Sequence, residues 1–457
     1  SSVLAVSLFL GWVSIAHSEE HPSLHDPGIE HIEITLPQQL LPGYPVLVQS
    51  LSMTEAIEIG LTHNLDIQVS DTEKSIQKSR LGIAKAQRWP TVSAGSLSFL
   101  RGGNSQLFRT SNMMMRTVTN DTFSQEFSLS AKMPIFTGGR IQGGIQASRY
   151  AWEAADKMLK NQMIQVAYQI RQAYLQALLI QAEHHVHMQH RDVQKELLRI
   201  VKAKYRHGKA LKADVLRIQA EMASADQMLN DQHSKLNQSL FTLKAVMGVD
   251  LGSEVDLADK LDFSVWEGEL LKPLVQDALK AHPEIQEAEK KIHEAEANIK
   301  VAKSQYMPQV YGQVSGNLRV PEGEAVAGLG NGVVGYFSAS LPVLDRSRHH
   351  EVDVAQAQLL KAKTEKRNTE IQVAKEIAQT WSEMEFTRDN VRLSRAAVAE
   401  AEESLRLMKR RFEVGRALNV EVQDAILTLL QAQLNYHRAV YNHELAKAKL
   451  KLATGKL

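Results

Sequence analysis

Two very long stretches of this chain carry apolar residues at alternating steps of three and four, the spacing of a coiled-coil seam. In the first stretch the seam runs through Val166, Ile170, Ala173, Ala177 and Ile180. In the second it runs through Val398, Ala401, Leu405, Met408 and Phe412. The pattern predicts helices over 141–207 and 347–413, each about 100 Å long at ~1.5 Å per residue.

Four shorter segments share the helical period and are rich in Ala, Gln and Lys. They are predicted as helices over 52–88, 211–247, 272–306 and 418–454. Gly208 and Gly415 separate each long helix from the shorter helix that follows it. Because glycine ends helices readily, each pair is expected to fold back at its glycine.

Four further segments alternate apolar and polar residues, which predicts strands. They lie at 91–100, 122–136, 309–320 and 332–344. Strands of about ten residues with one apolar face suit a membrane β-barrel with a wet interior. A half-buried strand of a soluble sheet gives the same alternation, so the pattern alone leaves both interpretations open.

The predicted elements occur twice in the same order. Residues 61–92 match 279–310 at an offset of 218, and 205–248 match 412–455 at an offset of 207. A unit of roughly two hundred residues is much longer than a solenoid repeat, which indicates a duplicated domain. The chain divides into repeat 1, an equatorial linker and repeat 2, at residues 51–248, 249–271 and 272–457.

The element lengths constrain the architecture. Two short helices laid end to end match one long helix, so each long helix is expected to be flanked by two stacked short ones. Membrane barrels have at least eight strands, so the four strands of one chain cannot close such a barrel. Three copies with twelve strands and four copies with sixteen both satisfy this arithmetic.

Composition narrows the functional classes. The formal net charge is +1, which gives no argument for nucleic acid as a partner, and the chain has no cysteine. Residues 1–18 resemble a signal peptide with a clipped start, for which a membrane anchor is the alternative. Residues 19–50 are interpreted as an irregular N-terminal strap.

Several motifs carry a resemblance to the TolC-like outer-membrane efflux family. They are Pro90 and Pro308 before strands, Pro134-Ile-Phe-Thr-Gly-Gly-Arg140, Pro342-Val-Leu-Asp-Arg-Ser-Arg348, Tyr205-x-x-Gly208 with Asp214, and Phe412-x-x-Gly415 with Glu421. The resemblance implies a homotrimer whose twelve-stranded β-barrel, four strands per chain, lies in outer-membrane lipid. It also implies that a long α-helical coiled-coil barrel continues into the periplasm, giving a mainly α fold with membrane β.

The function implied by the resemblance is passive transport. The duct would be the exit of a tripartite efflux or type I secretion system. Its partners would be a periplasmic adaptor (membrane fusion protein) and an inner-membrane pump of the RND, ABC or MFS type. A periplasmic coiled-coil adaptor or scaffold is the alternative from another class.

Carboxylates after the tip turns are the candidate pore gate. In relatives such residues line the lower constriction, and the matching positions here are Glu421 and Asp424, with Asp214 as the counterpart of Glu421 in repeat 1. Close carboxylates raise one another's pKa and concentrate cations. The alternative is that acidic residues in a first helical turn only complement the helix dipole.

The chain departs from one family pattern. Members with a tyrosine–arginine lock place Tyr where this chain has Phe412 and Arg where it has Ala417. Phenylalanine cannot make the side-chain hydrogen bond of that lock. We therefore expect Arg217 or Arg416 to supply the pairing cation.

The two tips are the candidate adaptor-docking sites. They are Gly208, Lys209, Ala210 and Leu211 in repeat 1, and Gly415, Arg416, Ala417 and Leu418 in repeat 2. Small residues would let another helical hairpin approach closely, and several cations lie nearby. An ordinary helix-ending glycine with solvated basic residues is the alternative.

No enzymatic site is predicted. The chain shows no nucleophile–base pair, phosphate loop or cofactor motif, and neither a cofactor nor a bound metal is expected. The histidines at 184, 185, 187 and 190 lack a carboxylate that would complete an obvious metal site.

Overall fold

The computed structural model describes residues 43–101, 105–109, 115–119, 122–264, 270–321 and 332–456. The predicted signal peptide at 1–18 and residues 19–42 of the predicted strap lie outside the described residues. In the part of the chain that the structure describes, no helix is both long and apolar enough to cross a membrane.

Repeat 1 contains two short helices, two long strands with a small hairpin between them, one very long helix and one helix of intermediate length. These elements are α1 (Met53–His63), α2 (Leu65–Ala86), β2 (Thr91–Arg101), β3 (Ser105–Arg109), β4 (Met115–Thr119), β5 (Thr122–Phe136), α3 (Arg140–Arg206) and α4 (Lys212–Met247). Two four-residue strands lie outside this order, namely β1 (Val48–Leu51) and β6 (Glu254–Leu257).

Repeat 2 has the same order of helices and long strands, with a 3₁₀ turn at Ser304–Tyr306 before its strands. Its elements are α5 (Leu271–Ala281), α6 (Pro283–Lys303), β7 (Gln309–Pro321), β8 (Gly332–Ser340), α7 (Ser347–Glu413) and α8 (Asn419–Ala453). The long helices α3 and α7 contain 67 residues each.

The single helices predicted over 52–88 and 272–306 are each divided in two, because one residue leaves the helical conformation. Asn64 has ψ 130° and His282 has ψ 127°. Both residues cap the helix that follows. Oδ1 of Asn64 accepts from the Asp66 N–H at 2.9 Å, and Nδ1 of His282 accepts from the Glu284 N–H at 3.3 Å.

Each break lies against the end of the same repeat's last helix, and we name this contact the joint of the repeat. A Cβ on Gly248, whose φ is +72°, would lie 2.6 Å from the carbonyl oxygen of His63. A Cβ on Gly455, whose φ is +69°, would lie 2.9 Å from Cδ of Pro283. Both joints therefore require glycine for backbone conformation and for close approach.

The four long strands form one antiparallel sheet in the order β2–β5–β7–β8. Leu129 of β5 lies opposite Ala94 of β2 and Gly316 of β7, which aligns the apolar faces of neighbouring strands. Several large apolar side chains of this sheet are exposed in the single chain, namely Phe127, Leu129, Val314 and Leu318. The sheet therefore presents an uncovered apolar surface.

Two differences from the predicted strands have local causes. The strand predicted over 332–344 ends at Ser340, before Pro342, which has no N–H to donate to a ladder. The loop predicted between the first two strands contains the antiparallel hairpin β3–β4, with Leu107 opposite Thr117.

The equator is also more ordered than the sequence predicted. β1, from the end of the predicted strap, pairs in parallel with β6, from the predicted linker. The buried hydroxyl of Tyr174 on α3 supports this pair, at 2.8 Å from the Leu51 carbonyl oxygen and 2.9 Å from Oδ2 of Asp259. The backbone groups of β1 and β6 are thus paired with each other.

Apolar packing is concentrated at distinct heights along the long helices. One equatorial core includes Leu51, Ile170 and Tyr174, and another includes Leu274 and Ile377. A third core lies near the tips and contains residues of α3, α4, α7 and α8.

Candidate functional site at the helix tips

Both long helices end in the same glycine turn. Gly208 has φ +70° and Gly415 has φ +78°, the left-handed conformation that glycine adopts without a Cβ clash. The Lys209 N–H donates to the Lys204 carbonyl and the Arg416 N–H donates to the Arg411 carbonyl, each at 2.8 Å. These bonds satisfy carbonyls that the end of a helix leaves unpaired.

Two of the predicted gate carboxylates bind the backbone of their own turn. The Leu211 N–H donates to Oδ2 of Asp214 at 3.1 Å, and the Leu418 N–H donates to Oε2 of Glu421 at 2.7 Å. Both carboxylates thus cap the start of the following helix, where a negative charge also complements the helix dipole, the alternative to a gate. The geometry of the two residues is the same in both repeats.

Asp424 lies one turn further along α8 and is exposed. Its side chain makes no hydrogen bond or ion pair within the residues that the structure describes. Of the three predicted gate carboxylates, Asp424 is therefore the one whose charge is free of a helix-capping bond.

The tip core brings four helices together beneath the turns. Its buried residues are Leu197, Val201, Ile218, Leu405, Phe412, Val422, Ala425 and Ile426. Phe412 is only 8% exposed, so its ring is part of this core.

The cation on Phe412 is neither of the predicted arginines. Nζ of Lys204 lies 2.5 Å from the Phe412 carbonyl oxygen and 3.6 Å from the centroid of its ring. Arg217 and Arg416 are exposed and form no ion pair with a carboxylate of the described residues. Burial lowers the pKa of Lys204, while neighbouring Glu413 acts in the opposite direction.

A buried amide pair that was not predicted lies above the tip core. Nε2 of Gln194 donates to Oε1 of Gln423 at 3.0 Å, and Nε2 of Gln423 donates to Oε1 of Gln194 at 3.1 Å. The two side chains are 0% and 3% exposed and connect α3 with α8. Two glutamines on polar-rich helices give no sequence signal that they face each other.

The predicted docking tips project into solvent. Leu211 and Leu418 are each 71% exposed, although both are apolar. They occupy equivalent positions at the starts of α4 and α8. The two tips thus present matched apolar knobs.

Cations near the tip turns lack the ion pairs that cations higher on the long helices form. Arg199 pairs with Glu196 and Arg406 pairs with Glu403. Closer to the turns lie exposed cations without an ion pair among the described residues, which we name the basic collar: Lys202, Arg206, Lys209, Lys212, Arg410 and Arg411. The collar gives the tips an excess of uncompensated positive charge.

The histidines of α3 lie in two environments. His187 and His190 are buried, and burial lowers the pKa of each. His184 lies 6.2 Å from His233 of α4, measured between ring centroids. Among the described residues, no group of three or more His, Cys, Asp or Glu side chains has an arrangement that could hold a metal ion.

Comparison with known proteins shows the family. The outer membrane efflux protein family matches residues 56–249 and 274–456, which is well over half of the chain. Both repeats are covered, while most of the equatorial linker is not. The chain therefore belongs to the outer membrane efflux protein family.

Characterised relatives match almost the whole length. Nodulation protein T of Rhizobium leguminosarum bv. trifolii is 21% identical over 408 residues, covering 88% of this chain and 85% of the relative. The toluene efflux pump outer membrane protein TtgC of Pseudomonas putida is 22% identical over 400 residues, covering 86% of this chain and 80% of the relative.

The fold is shared with solved outer-membrane proteins. The outer membrane protein VceC of Vibrio cholerae matches with a TM-score of 0.74 at 15% identity, covering 88% of this chain and 96% of that chain. The family and its structural neighbours are channel proteins rather than enzymes.

Together these findings define the class of function. The chain is an outer-membrane exit duct for tripartite efflux or type I secretion. It resides in the outer membrane, and its helical part lies in the periplasm.

Proposed function

We propose that three copies of this chain assemble into one duct, each contributing four strands to a closed cylinder of twelve. The observation that carries this proposal is the open sheet. Among the described residues β2 pairs only with β5, and β8 only with β7, so both edges keep unpaired backbone groups. Pairing β2 of one copy with β8 of the next removes every edge, and the apolar face at Leu129 and Leu318 then meets lipid.

The assembly proposal is tested by the mass and conductance of protein purified in detergent. A trimeric mass, together with discrete conductance steps in a planar lipid bilayer, is the expected result. A monomer that stays soluble without detergent would overturn the proposal.

The lower end of the duct is proposed to be a gate. Three-fold symmetry makes a ring of three carboxylates from each of Asp214, Glu421 and Asp424, with Arg217 and Arg416 beside them. Because Asp424 alone is free of a capping bond, its ring is expected to dominate cation attraction.

Reversal potentials across a salt gradient test this order. Asp424→Asn is expected to reduce cation preference, while leaving the capping bonds at Leu211 and Leu418 in place. Glu421→Gln keeps an acceptor for the Leu418 N–H and is expected to change selectivity less. Equal cation preference in Asp424→Asn and the unmutated channel would remove Asp424 from the gate.

The role of the arginines is tested separately by single-channel conductance. If Arg217 and Arg416 help to keep the constriction narrow, Arg217→Ala and Arg416→Ala each raise conductance. Unchanged conductance in both variants would remove them from the gate.

The tips are proposed to dock a periplasmic adaptor, through which an inner-membrane pump of the RND, ABC or MFS type delivers cargo. Gly208, Lys209, Ala210 and Leu211 form one docking tip, and Gly415, Arg416, Ala417 and Leu418 form the other. The unpaired collar favours a partner whose hairpin turn carries carboxylates, and the leucine knobs favour a partner with apolar depressions. The chain itself carries cargo without catalysis or a cofactor.

Two designed helical hairpins, identical except for glutamates or lysines at the turn, probe this surface. The acidic hairpin is expected to bind the purified duct more tightly and to weaken as salt rises. Leu211→Ser with Leu418→Ser should reduce binding, whereas Leu427→Ser, an exposed leucine further along α8, should not. Equal binding of both hairpins would contradict an acidic partner.

A further inference from the structure

We propose that Lys204 is a latch residue that holds the tip of repeat 2 against the tip of repeat 1 in the closed duct. The proposal rests on the gate proposed above and takes the described arrangement of the tips as the closed one, and it identifies the side chain that keeps this gate shut.

The latch joins the last turns of the two long helices. Lys204 belongs to α3, and Phe412 belongs to α7, one residue before its end. Nζ of Lys204 approaches the Phe412 carbonyl oxygen at 2.5 Å and its ring centroid at 3.6 Å. One ammonium group therefore makes two contacts across the boundary between the repeats.

Both contacts suit a cation at this position. The last carbonyls of a helix lack intrahelical partners and carry the negative end of the helix dipole, so an ammonium donor is favourable there. The face of an aromatic ring attracts the same charge. The Phe412 carbonyl also accepts from the Gly415 N–H at 3.1 Å, so Lys204 binds the oxygen that closes the glycine turn.

The partner side of the latch is rigid, whereas the lysine side is adjustable. Phe412 is fixed in the tip core, while Lys204 has a flexible stem and is only half-buried. Glu413 and Lys209 are the charged groups that act on it, with opposite sign. Lys202 and Arg206, two residues to either side, make no ion pair within the described part of the chain.

A second feature favours release of the tip. Asn419, the first residue of α8, is 8% exposed, yet Oδ1 and Nδ2 both lack a hydrogen-bond partner among the described residues. A buried amide without partners disfavours the closed arrangement, and a shift of the start of α8 that admits water would relieve it. Lys204 and Asn419 thus act in opposite directions.

The buried Gln194–Gln423 pair sets the upper limit of the movement. Gln194 precedes Lys204 by ten residues, or about 15 Å along α3. Its two hydrogen bonds to α8 are sealed from water, so helix separation is expected below this pair and not above it.

Single-channel recordings of the purified trimer test the latch. Lys204→Met keeps the length of the side chain but removes both contacts of the charge, and it is expected to raise mean conductance about threefold or more. Lys195→Met removes an exposed cation of α3 that lies outside the basic collar, and it should match the unmutated channel. Lys204→Arg should retain most of the closure.

An opposite effect is expected at Asn419. Asn419→Leu removes the unpaired amide and should lower the fraction of time spent open. If Lys204→Met has the conductance of the unmutated channel, or if Lys195→Met raises conductance equally, the latch is overturned while the duct stays intact. Silent bilayers with the unmutated protein and every variant would overturn the duct and the latch together.

If Lys204→Met does not assemble, a cross-link between positions 204 and 412 tests the latch instead. Since the chain has no cysteine, Lys204→Cys with Phe412→Cys introduces the only two thiols. A reducible bis-methanethiosulfonate cross-linker should then close the channel, and reduction should reopen it. A cross-linked channel that stays open would refute the proposal.

Discussion

The joints of the two repeats have the same geometry but different chemistry. Asn64 and His282 have backbone angles within a few degrees of each other, and each caps the helix that follows. Nδ2 of Asn64 donates to the Val246 carbonyl at 2.8 Å, and the ring of His282 faces the backbone of Leu452, which acts on its pKa against the effect of burial. An amide thus fills in one repeat the place that an imidazole fills in the other.

The difference shows which property the duplication has kept. Each joint needs one acceptor toward the next helix, one link to the end of the repeat's last helix, and a glycine beside it. The identity of the side chain is free as long as these bonds are made. Only the imidazole titrates near neutral pH, so the two joints differ in their response to acid.

Loss of the joint glycine is expected to have the largest effect. Gly248→Ala places a Cβ 2.6 Å from a backbone oxygen in a left-handed conformation, and should destabilise the protein by about 3 kcal/mol or more. Gly208→Ala has nearly the same φ with no atom within 4 Å, and should cost about 1–2 kcal/mol. Thermal unfolding at a fixed scan rate compares the two variants. Equal losses of stability would contradict the close packing at the joint of repeat 1.

The buried amide pair is a second difference between the repeats. It joins α3 of repeat 1 to α8 of repeat 2, and the equivalent positions do not form a second pair. The positions equivalent to Gln194 and Gln423 are Ala401 and Leu216. Gln194→Leu leaves a buried amide unpaired and should lower stability by about 2 kcal/mol. The double variant with Gln423→Leu should lose less than either single variant. Additive losses in thermal unfolding would show that the two side chains act independently.

The equatorial core of repeat 1 contains Tyr174, and the equivalent position in repeat 2 is Trp381. Tyr174→Phe removes the hydroxyl that contacts Leu51 and Asp259 and should cost about 1 kcal/mol. Tyr168→Phe is the control on the same helix, since its hydroxyl makes no hydrogen bond with the described residues. Equal melting temperatures for the two variants would contradict the role of Tyr174.

The smallest effect is expected at His282 and only in acid. Burial lowers the pKa of His282, so its ring takes up a proton less readily in the folded chain. The unfolded chain binds the proton more readily, with a pKa of about 6.5, so stability is complete above this pH and falls below it. Between pH 7 and pH 5, His282→Asn should lose less stability than the parent, and Asn64→His should lose more. Parallel pH profiles of all three proteins would exclude a titrating joint.

Much of the fold could be inferred from periodicity, because long helices and paired strands repeat their pattern over many residues. The breaks at Asn64 and His282 were missed, since helical spacing continues on both sides of one extended residue. Two signals were present. Asparagine is a strong helix cap, and Pro283 favours the first turn of a new helix.

The candidate site was less accessible to sequence reasoning. The tip turns follow from Gly208 and Gly415, whose spacing from the acidic residues is the same in both repeats. Which cation reaches Phe412 depends on the relative rotation of α3 and α7. Lys204 was one of several basic residues nearby, and no pattern along the chain singles it out.

The equal length of α3 and α7 places the ends of both helices at the same distance from the sheet. An insertion of one helical turn in α3 alone would displace the ends of the two helices by about 5.4 Å, and Lys204 would no longer face Phe412. A lineage that needs a wider or narrower gap between its two membranes must therefore lengthen or shorten both copies in step.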